Sequence, residues 1–154
     1  MLTPEELAEI ETEATHYEQK RAACVEALKA VQRSRGWVSD ESLSDLADLM
    51  GMTTDELDSV ATFYNLIFRK PVGRHVILVC TSVSCWVMGH EQILDRLRER
   101  LRIGLGETTA DGRFTLLPNV CLGACDLAPA LMIDDDLHGN LDTQKIDEML
   151  ARYE

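Results

Sequence analysis

The chain has no run approaching the roughly eighteen uninterrupted apolar residues that a spanning helix needs, so no direct membrane span is expected. Met1-Leu2-Thr3-Pro4-Glu5-Glu6 lacks both a basic n-region and an apolar h-region. It reads as neither a secretory signal nor an Arg-rich transit peptide. Cations are scarce: 15 Lys and Arg stand against 27 Asp and Glu in 154 residues, a net charge of −12. Nucleic acid and anionic lipid both demand phosphate neutralisation, so neither is expected as a direct partner. A Walker loop, a strand-linked G-x-G-x-x-G and a nucleophile–base pair are all missing. Gly104-x-Gly106 lacks the preceding strand and the third glycine. No NADH, flavin or substrate pocket is therefore expected on this chain by itself. There is no internal repeat, no low-complexity tract and no C-x-x-C of the thioredoxin dithiol type.

What is present is ordinary globular material, 45% hydrophobic and 27% charged, at a length that suits one domain or two small ones. Charge does not divide the chain. Residues 1–72 hold 14 acids and 7 bases, net −7, and residues 73–154 hold 13 acids and 8 bases, net −5. Periodicity does divide it, near Pro71: up to about Phe68 the apolar spacing is helical, and from His75 onward strand-like runs alternate with helix-like ones. The expected architecture is α+β/α/β, with an amino-terminal helical bundle (1–72) acting as a docking domain. An α/β domain of about thioredoxin-like size follows (73–154), resting on a β-α-β-β-β-α order.

In the first part, Thr3, Pro4 and Glu6 form a capping box opening a helix to about Tyr17. A second helix covers 21–34, buries Cys24, Ala27, Leu28 and Val31, and stops at Gly36. Ser39 opens a third, containing Leu43, Leu46, Ala47 and Leu49 and ending at Gly51. Thr53 and Glu56 cap a fourth, carrying Leu57, Val60, Ala61 and Tyr64. Helices three and four have the outline of a helix-turn-helix, but residues 40–60 hold seven acids and no Lys or Arg, so phosphate would repel them. In the second part, 75–80 reads as a buried strand and 81–88 as a loop. A helix follows over 89–101, then strands at 113–117 and 130–134. A turn over 136–140 leads to a short strand around Leu141, and Thr143 caps a last helix ending near Tyr153.

The informative residues are Cys80-Thr81-Ser82-Val83-Ser84-Cys85 and Cys121-Leu122-Gly123-Ala124-Cys125. Each pair starts at or just past a strand end, in a loop of small residues that lets backbone amides approach a ligand. Five cysteines without an export signal point to a reducing compartment, where clustered thiols are metal ligands or redox groups more often than disulfides. Structural zinc usually takes C-x2-C knuckles, whereas a [2Fe–2S] rhomb accepts wider and unequal loops. Iron–sulfur leads on spacing alone, with zinc, redox thiols and coincidence left open.

These pairs occur together with Ala61-Thr62-Phe63-Tyr64, Pro71-Val72-Gly73-Arg74-His75, the stretch Asp111-Gly112-Arg113-Phe114-Thr115-Leu116-Leu117-Pro118 and Cys121-Leu122-Gly123-x-Cys125-Asp126. In this combination the chain closely resembles, over essentially its whole length, the small thioredoxin-like [2Fe–2S] subunit of bacterial respiratory complex I, the NADH:quinone oxidoreductase, in which it is called the E subunit. The resemblance implies that residues 73–154 form a thioredoxin-like [2Fe–2S] ferredoxin domain in which Cys80, Cys85, Cys121 and Cys125 hold one [2Fe–2S] cluster. It also implies single-electron exchange with the flavin of the flavin- and NADH-binding partner subunit, FMN and NAD residing on that partner. Other peripheral-arm subunits would be further partners, and the setting would be the bacterial cytoplasm, on the cytoplasmic face of the inner membrane through the complex. The chain would then be part of an electron-transport oxidoreductase and translocase without a complete active site of its own. Each loop pair is expected to serve one iron, because short loops do not easily straddle both. The equivalent subunit of an NAD-linked hydrogenase or formate dehydrogenase is the nearest alternative, and a zinc-stabilised structural module is the alternative of another class.

Nearby residues have plainer readings. Cys24 is expected to be a small buried hydrophobe. Trp86 either shields the cluster or packs, and His90 caps the following helix rather than replacing a thiolate. Arg96, Arg98, Arg100 and Arg102 spread around a helix as a solvated face, with a docking patch as the other reading. Asp134-Asp135-Asp136 reads as a solvated strand end. Anaerobically purified protein is expected to be brown, with iron and acid-labile sulfide at about two each per chain. A colourless protein retaining one zinc would establish the scaffold reading instead.

Overall fold

Hydroxyl side chains start three of the helices in the computed structural model, which describes residues 1–153; Glu154, the last residue of the expected 73–154 domain, lies outside the described residues. The chain divides into two compact units, Met1–Pro71 and Val72–Glu154. In the first, Thr3 caps α1 (Pro4–Ala14), accepting from the Glu6 amide at 3.2 Å while Glu6 accepts from the Thr3 amide at 2.8 Å. A 3₁₀ turn, Lys20–Ala23, leads into α2 (Cys24–Arg35), which ends at Gly36 in the left-handed region at φ 81°. Ser39 caps α3 (Asp40–Met50), and Thr53 with Glu56 makes a second capping box on α4 (Thr54–Phe63). Ile10, Leu28, Val31, Leu46 and Leu57 interlock as the core of this unit.

Two expectations fail here. α1 stops at Ala14, short of Tyr17, because the Thr12 and Thr15 hydroxyls bond back to the Ala8 and Thr12 carbonyls, a local alternative to the helical ladder. Tyr64, expected within the fourth helix, is the exposed residue that follows the last turn of α4.

The second unit is built on a five-stranded sheet in the order β2-β3-β1-β4-β5. Its strands are β1 (His75–Cys80), β2 (Glu107–Thr108), β3 (Phe114–Asn119), β4 (Leu131–Ile133) and β5 (Asp136–His138). β1 and β3 run parallel, and the other pairs are antiparallel. β1 is the central strand, buried from Val76 to Cys80, which is why it reads as an unbroken apolar run. Three helices accompany the sheet: α5 (Val83–Val87), α6 (His90–Leu101) and α7 (Thr143–Leu150). Leu97, Phe114, Leu116, Ile133 and Ile146 are fully buried in this core. Among the described residues no helix is long and apolar enough to cross a membrane.

Four details differ from the sequence reading. β3 begins at Phe114 and runs through Pro118 to Asn119 instead of ending before the proline. Leu116 and Phe114 turn their carbonyls toward the β2 side, where Gly106 and Thr109 donate to them. Pro118 shares that parity but lies beyond the two-residue β2, so its missing N–H falls on an uncovered edge. The expected loop 81–88 contains α5. The last strand is β5, not a segment around Leu141, whose side chain is buried and whose amide donates to the Pro129 carbonyl at 3.1 Å. Asp142, not Thr143, caps α7 by accepting from the Lys145 amide at 2.8 Å.

One buried ion pair ties three helices of the first unit together. Glu6 is only 2% exposed, and Arg35 grips both its oxygens at 2.7 Å while donating to Ser42 at 2.9 Å. The guanidinium first, then the Thr3 amide, hold the Glu6 carboxyl down to about 2 against the opposing effect of burial. The folded pKa is depressed, so this contribution is complete above the unfolded carboxyl pKa and fades as pH falls through the folded value. Glu6→Gln is expected to cost about 3 kcal/mol near neutral pH, the low end for breaking a buried pair because Arg35 keeps some solvent access. The gap between wild type and Glu6→Gln should narrow as pH falls below about 4.3 and close near 2. Denaturant titrations at several pH values measure it; a gap independent of pH would show that the carboxylate is not paired.

Candidate metal centre

Parallel pairing of β1 with β3 sets Cys80 beside Asn119. Two adjacent parallel strands thus end at the same edge of the sheet, and the loops leaving them carry the two cysteine pairs. Thr81 holds this corner, donating from its amide at 2.9 Å and its hydroxyl at 3.1 Å to the Asn119 carbonyl. The Cys80 amide donates across to Ala130 of the β4 side at 3.3 Å.

The first loop turns at once into α5, whose opening turn is closed by the Trp86 amide donating to Ser82 at 2.9 Å. That turn points Cys85 inward and leaves Val83, Trp86, Val87 and Met88 exposed. In the second loop Gly123 adopts a left-handed φ of 75°, and its amide donates to the Cys121 sulfur at 3.3 Å. A 3₁₀ turn, Cys125–Leu127, follows. Ala124, Ala128 and Ala130 pack around Cys80 and Cys85, with Leu122 and Leu127 alongside. The lining is small and apolar, so little competes with sulfur for a ligand.

The sulfurs sense one another across the two loops. Burial pushes the Cys80 thiol up, but donation from the Ser82 backbone, Cys85, the Leu122 backbone and Cys121 outweighs it, so its pKa falls below the ordinary thiol value. Cys85 goes the other way: burial raises it, and the neighbouring Cys80 and Cys125 sulfurs add to that against the Ala130 amide. All four thiols are free, Cys80 and Cys85 buried and Cys121 and Cys125 exposed. Cys80 thus neighbours Cys85 and Cys121, and Cys85 neighbours Cys80 and Cys125, so the two loops set their cysteine pairs beside each other. Four thiols in two pairs, with amide donors and an apolar lining, fit a two-iron cluster.

The sequence profile of the thioredoxin-like [2Fe-2S] ferredoxin family matches residues 10–154. The chain belongs to this family. Among its relatives, the E subunit of the NADH-quinone oxidoreductase of Pseudomonas aeruginosa is 51% identical over 99% of this chain and 92% of its own length. The E subunit of the same complex in Escherichia coli K12 is likewise 51% identical over 99% of this chain and 92% of its own length. An NAD+-reducing [NiFe]-hydrogenase structure superposes with a TM-score of 0.73 at 25% identity, covering 85% of this chain and 22% of that chain. The matched module is thus about a fifth of the hydrogenase polypeptide. A [2Fe–2S] cluster is the cofactor of the family, and the cysteine loops suit it.

The other candidate residues of this ferredoxin-family chain divide by place. Cys24 lies in the first unit, buried with Ala27 and Leu28. Trp86 is 60% exposed, so it neither packs in the core nor seals the cysteines on its own. His90 does not cap α6 as expected: Gly89 is the N-cap, no side chain caps the helix, and the buried His90 Nδ1 has no hydrogen-bond partner among the described residues. Arg96 and Arg100 are both spent on Asp147 of α7, at 3.1 and 3.2 Å, and Arg98 on Asp95 at 3.4 Å, which removes most of the suggested docking patch. Asp134 is not merely solvated: it turns the β4–β5 hairpin at φ 53°, accepts from the Val76 amide at 2.9 Å and meets His75 at 2.7 Å. Sequence reasoning missed the amides of Ser82, Leu122, Gly123 and Ala130, because which amide faces which sulfur is a property of the folded loops.

Exposure predicts an order of thiol reactivity. In cluster-free, reduced protein, the exposed Cys121 and Cys125 are expected to alkylate first, and the buried Cys24, Cys80 and Cys85 last. In cluster-loaded protein all four loop cysteines should be protected. Peptide mapping by mass spectrometry reads both; early labelling of Cys24 would contradict the burial described.

Proposed function

We propose that Cys80, Cys85, Cys121 and Cys125 are the ligands of one [2Fe–2S] cluster, and that the chain exchanges single electrons with the flavin of the NADH-oxidising subunit of an NADH:quinone oxidoreductase. The observation carrying this is the meeting of two cysteine pairs at the ends of paired parallel strands. The bound cluster supplies one-electron chemistry. This chain's residues supply four thiolates, amide donors that draw electron density off the sulfurs, and an apolar lining that keeps water out. By sequence spacing each loop serves one iron.

The partner reading rests on the surface beside the cysteines. Val83, Trp86, Val87, Met88 and Val120 are all exposed there, an apolar rim of the kind that marks a protein interface. Electrons move only when a donor comes close, so the same rim that excludes water also admits a partner. In the first unit Phe63 is 80% exposed and stacks edge-on with Tyr64 at 5.2 Å, and this exposed aromatic pair supports a docking role for residues 1–72. Identity of 51% to the E subunits, against 25% to the hydrogenase, favours the quinone-linked complex. Within it the chain would sit on the cytoplasmic face of the membrane, held there by other subunits, with FMN and NAD on its partner.

In the assembled complex, NADH is expected to reduce the cluster, seen as an axial or rhombic electron paramagnetic resonance signal. The isolated loaded chain should stay oxidised with NADH and reduce only with dithionite. Replacing any one of the four cysteines with Ser should remove or reshape that signal, and the two members of a pair should act alike. A Cys125→Ser chain with an unaltered signal would reject this ligand set.

A further inference from the structure

We propose that Gly139 is a positioning residue for Cys125, acting through Leu127; the inference rests on the cluster reading above. Gly139 is not there for backbone conformation, since its φ lies outside the left-handed region. It is there for space. A Cβ built on it would lie 2.5 Å from the Leu127 Cβ and 2.9 Å from the Leu127 carbonyl oxygen, far inside contact distance.

Gly139 has no room to retreat. On one side His138 is fixed by pairing with Leu131 and by a 3.0 Å contact with the Tyr153 hydroxyl, which itself donates to Asp136 at 2.8 Å. On the other side the Asn140 amide donates to the Leu127 carbonyl at 2.6 Å, and the Leu141 amide donates to Pro129 at 3.1 Å. The segment 138–141 is therefore an anvil tied to the sheet. Leu127 lies against it and ends the 3₁₀ turn that Cys125 begins. Its other neighbours are the alanines packed around Cys80 and Cys85. A methyl added at Gly139 must displace Leu127, and with it the turn that aims the Cys125 sulfur.

The effect falls on one loop, because the Asn140 and Leu141 amides bond to Leu127 and Pro129, both on the chain that leaves Cys125. The consequence is a change in one ligand's direction without loss of the ligand. Thiolate orientation and the hydrogen bonds to it tune a cluster's spectrum and potential.

The test is a set of full-length variants with cluster content, paramagnetic resonance of the reduced state and midpoint potential as readouts. Gly139→Ala is expected to retain about two irons per chain, to shift its g values and potential, and to lose its cluster severalfold faster in air. Gly104→Ala is the control: the added methyl would meet only the flexible Glu107 carboxylate at 3.4 Å, and the signal should match wild type. Leu127→Ala, which opens space instead of closing it, should shift the same signal and decides the matter if Gly139→Ala does not fold. Spectra and potentials of Gly139→Ala or Leu127→Ala that superimpose on wild type, with only a lowered melting temperature, would reduce Gly139 to a packing role and overturn the inference. Absence of any cluster in wild type would instead bring down the ligand assignment itself.

Discussion

The register between two parallel strands governs this molecule. Pairing Cys80 with Asn119 makes both strands end at one edge, and only then do a C-x4-C loop and a C-x3-C loop have a common place to meet. A slip of two residues along β1 would move one pair by roughly 6–7 Å away from the other. That register is itself set by burial. Ile77 and Val79 must face the same core as Leu116 and Ile133, so the apolar alternation of β3 locks against the continuous apolar run of β1.

The site then works by opposing burial with donors. Small apolar side chains exclude water from Cys80 and Cys85, which on its own disfavours thiolates. Amides of Ser82 and Leu122, one from each loop, together with the Cys85 and Cys121 side chains, reverse that at Cys80, while the Ala130 amide from the β4 side only opposes it at Cys85. The glycine at 123 takes a left-handed turn and donates its own amide to the Cys121 sulfur, and the space left by Gly139 lets a second element support the loop from behind. The donors to these sulfurs are amides and thiols, while Arg96 and Arg100 of α6 are paired with Asp147 of α7. Around the buried sulfurs the surface changes character abruptly to exposed Trp86, Val87 and Val120. An electron carrier needs both features, a dry interior at the ligand and an apolar rim that a partner can cover.

Much of the helical unit is legible in the sequence because capping is local chemistry. Thr3 with Glu6, Ser39, and Thr53 with Glu56 satisfy amides within three residues, and Gly36 and Gly51 stop helices by their own backbone freedom. Where the reading fails, a distant partner decides. Pro118 looks like a strand breaker until the shortness of β2 leaves its side of the sheet open. Leu141 looks like a strand residue because it is apolar, but it is core filling between β5 and α7. β2, with two exposed residues, has no periodicity to detect.

By itself the sequence determined the division of the chain, its helix starts, its central strand and the identity and spacing of four thiols, since each depends on residues within a few positions of one another. The tertiary structure alone decided which strand lies beside β1, which amides face which sulfur, that Trp86 lies outside and that Gly139 stands behind Leu127. Those relations join residues tens of positions apart, and only the packing of a shared core, which no short stretch of sequence contains, brings them into contact.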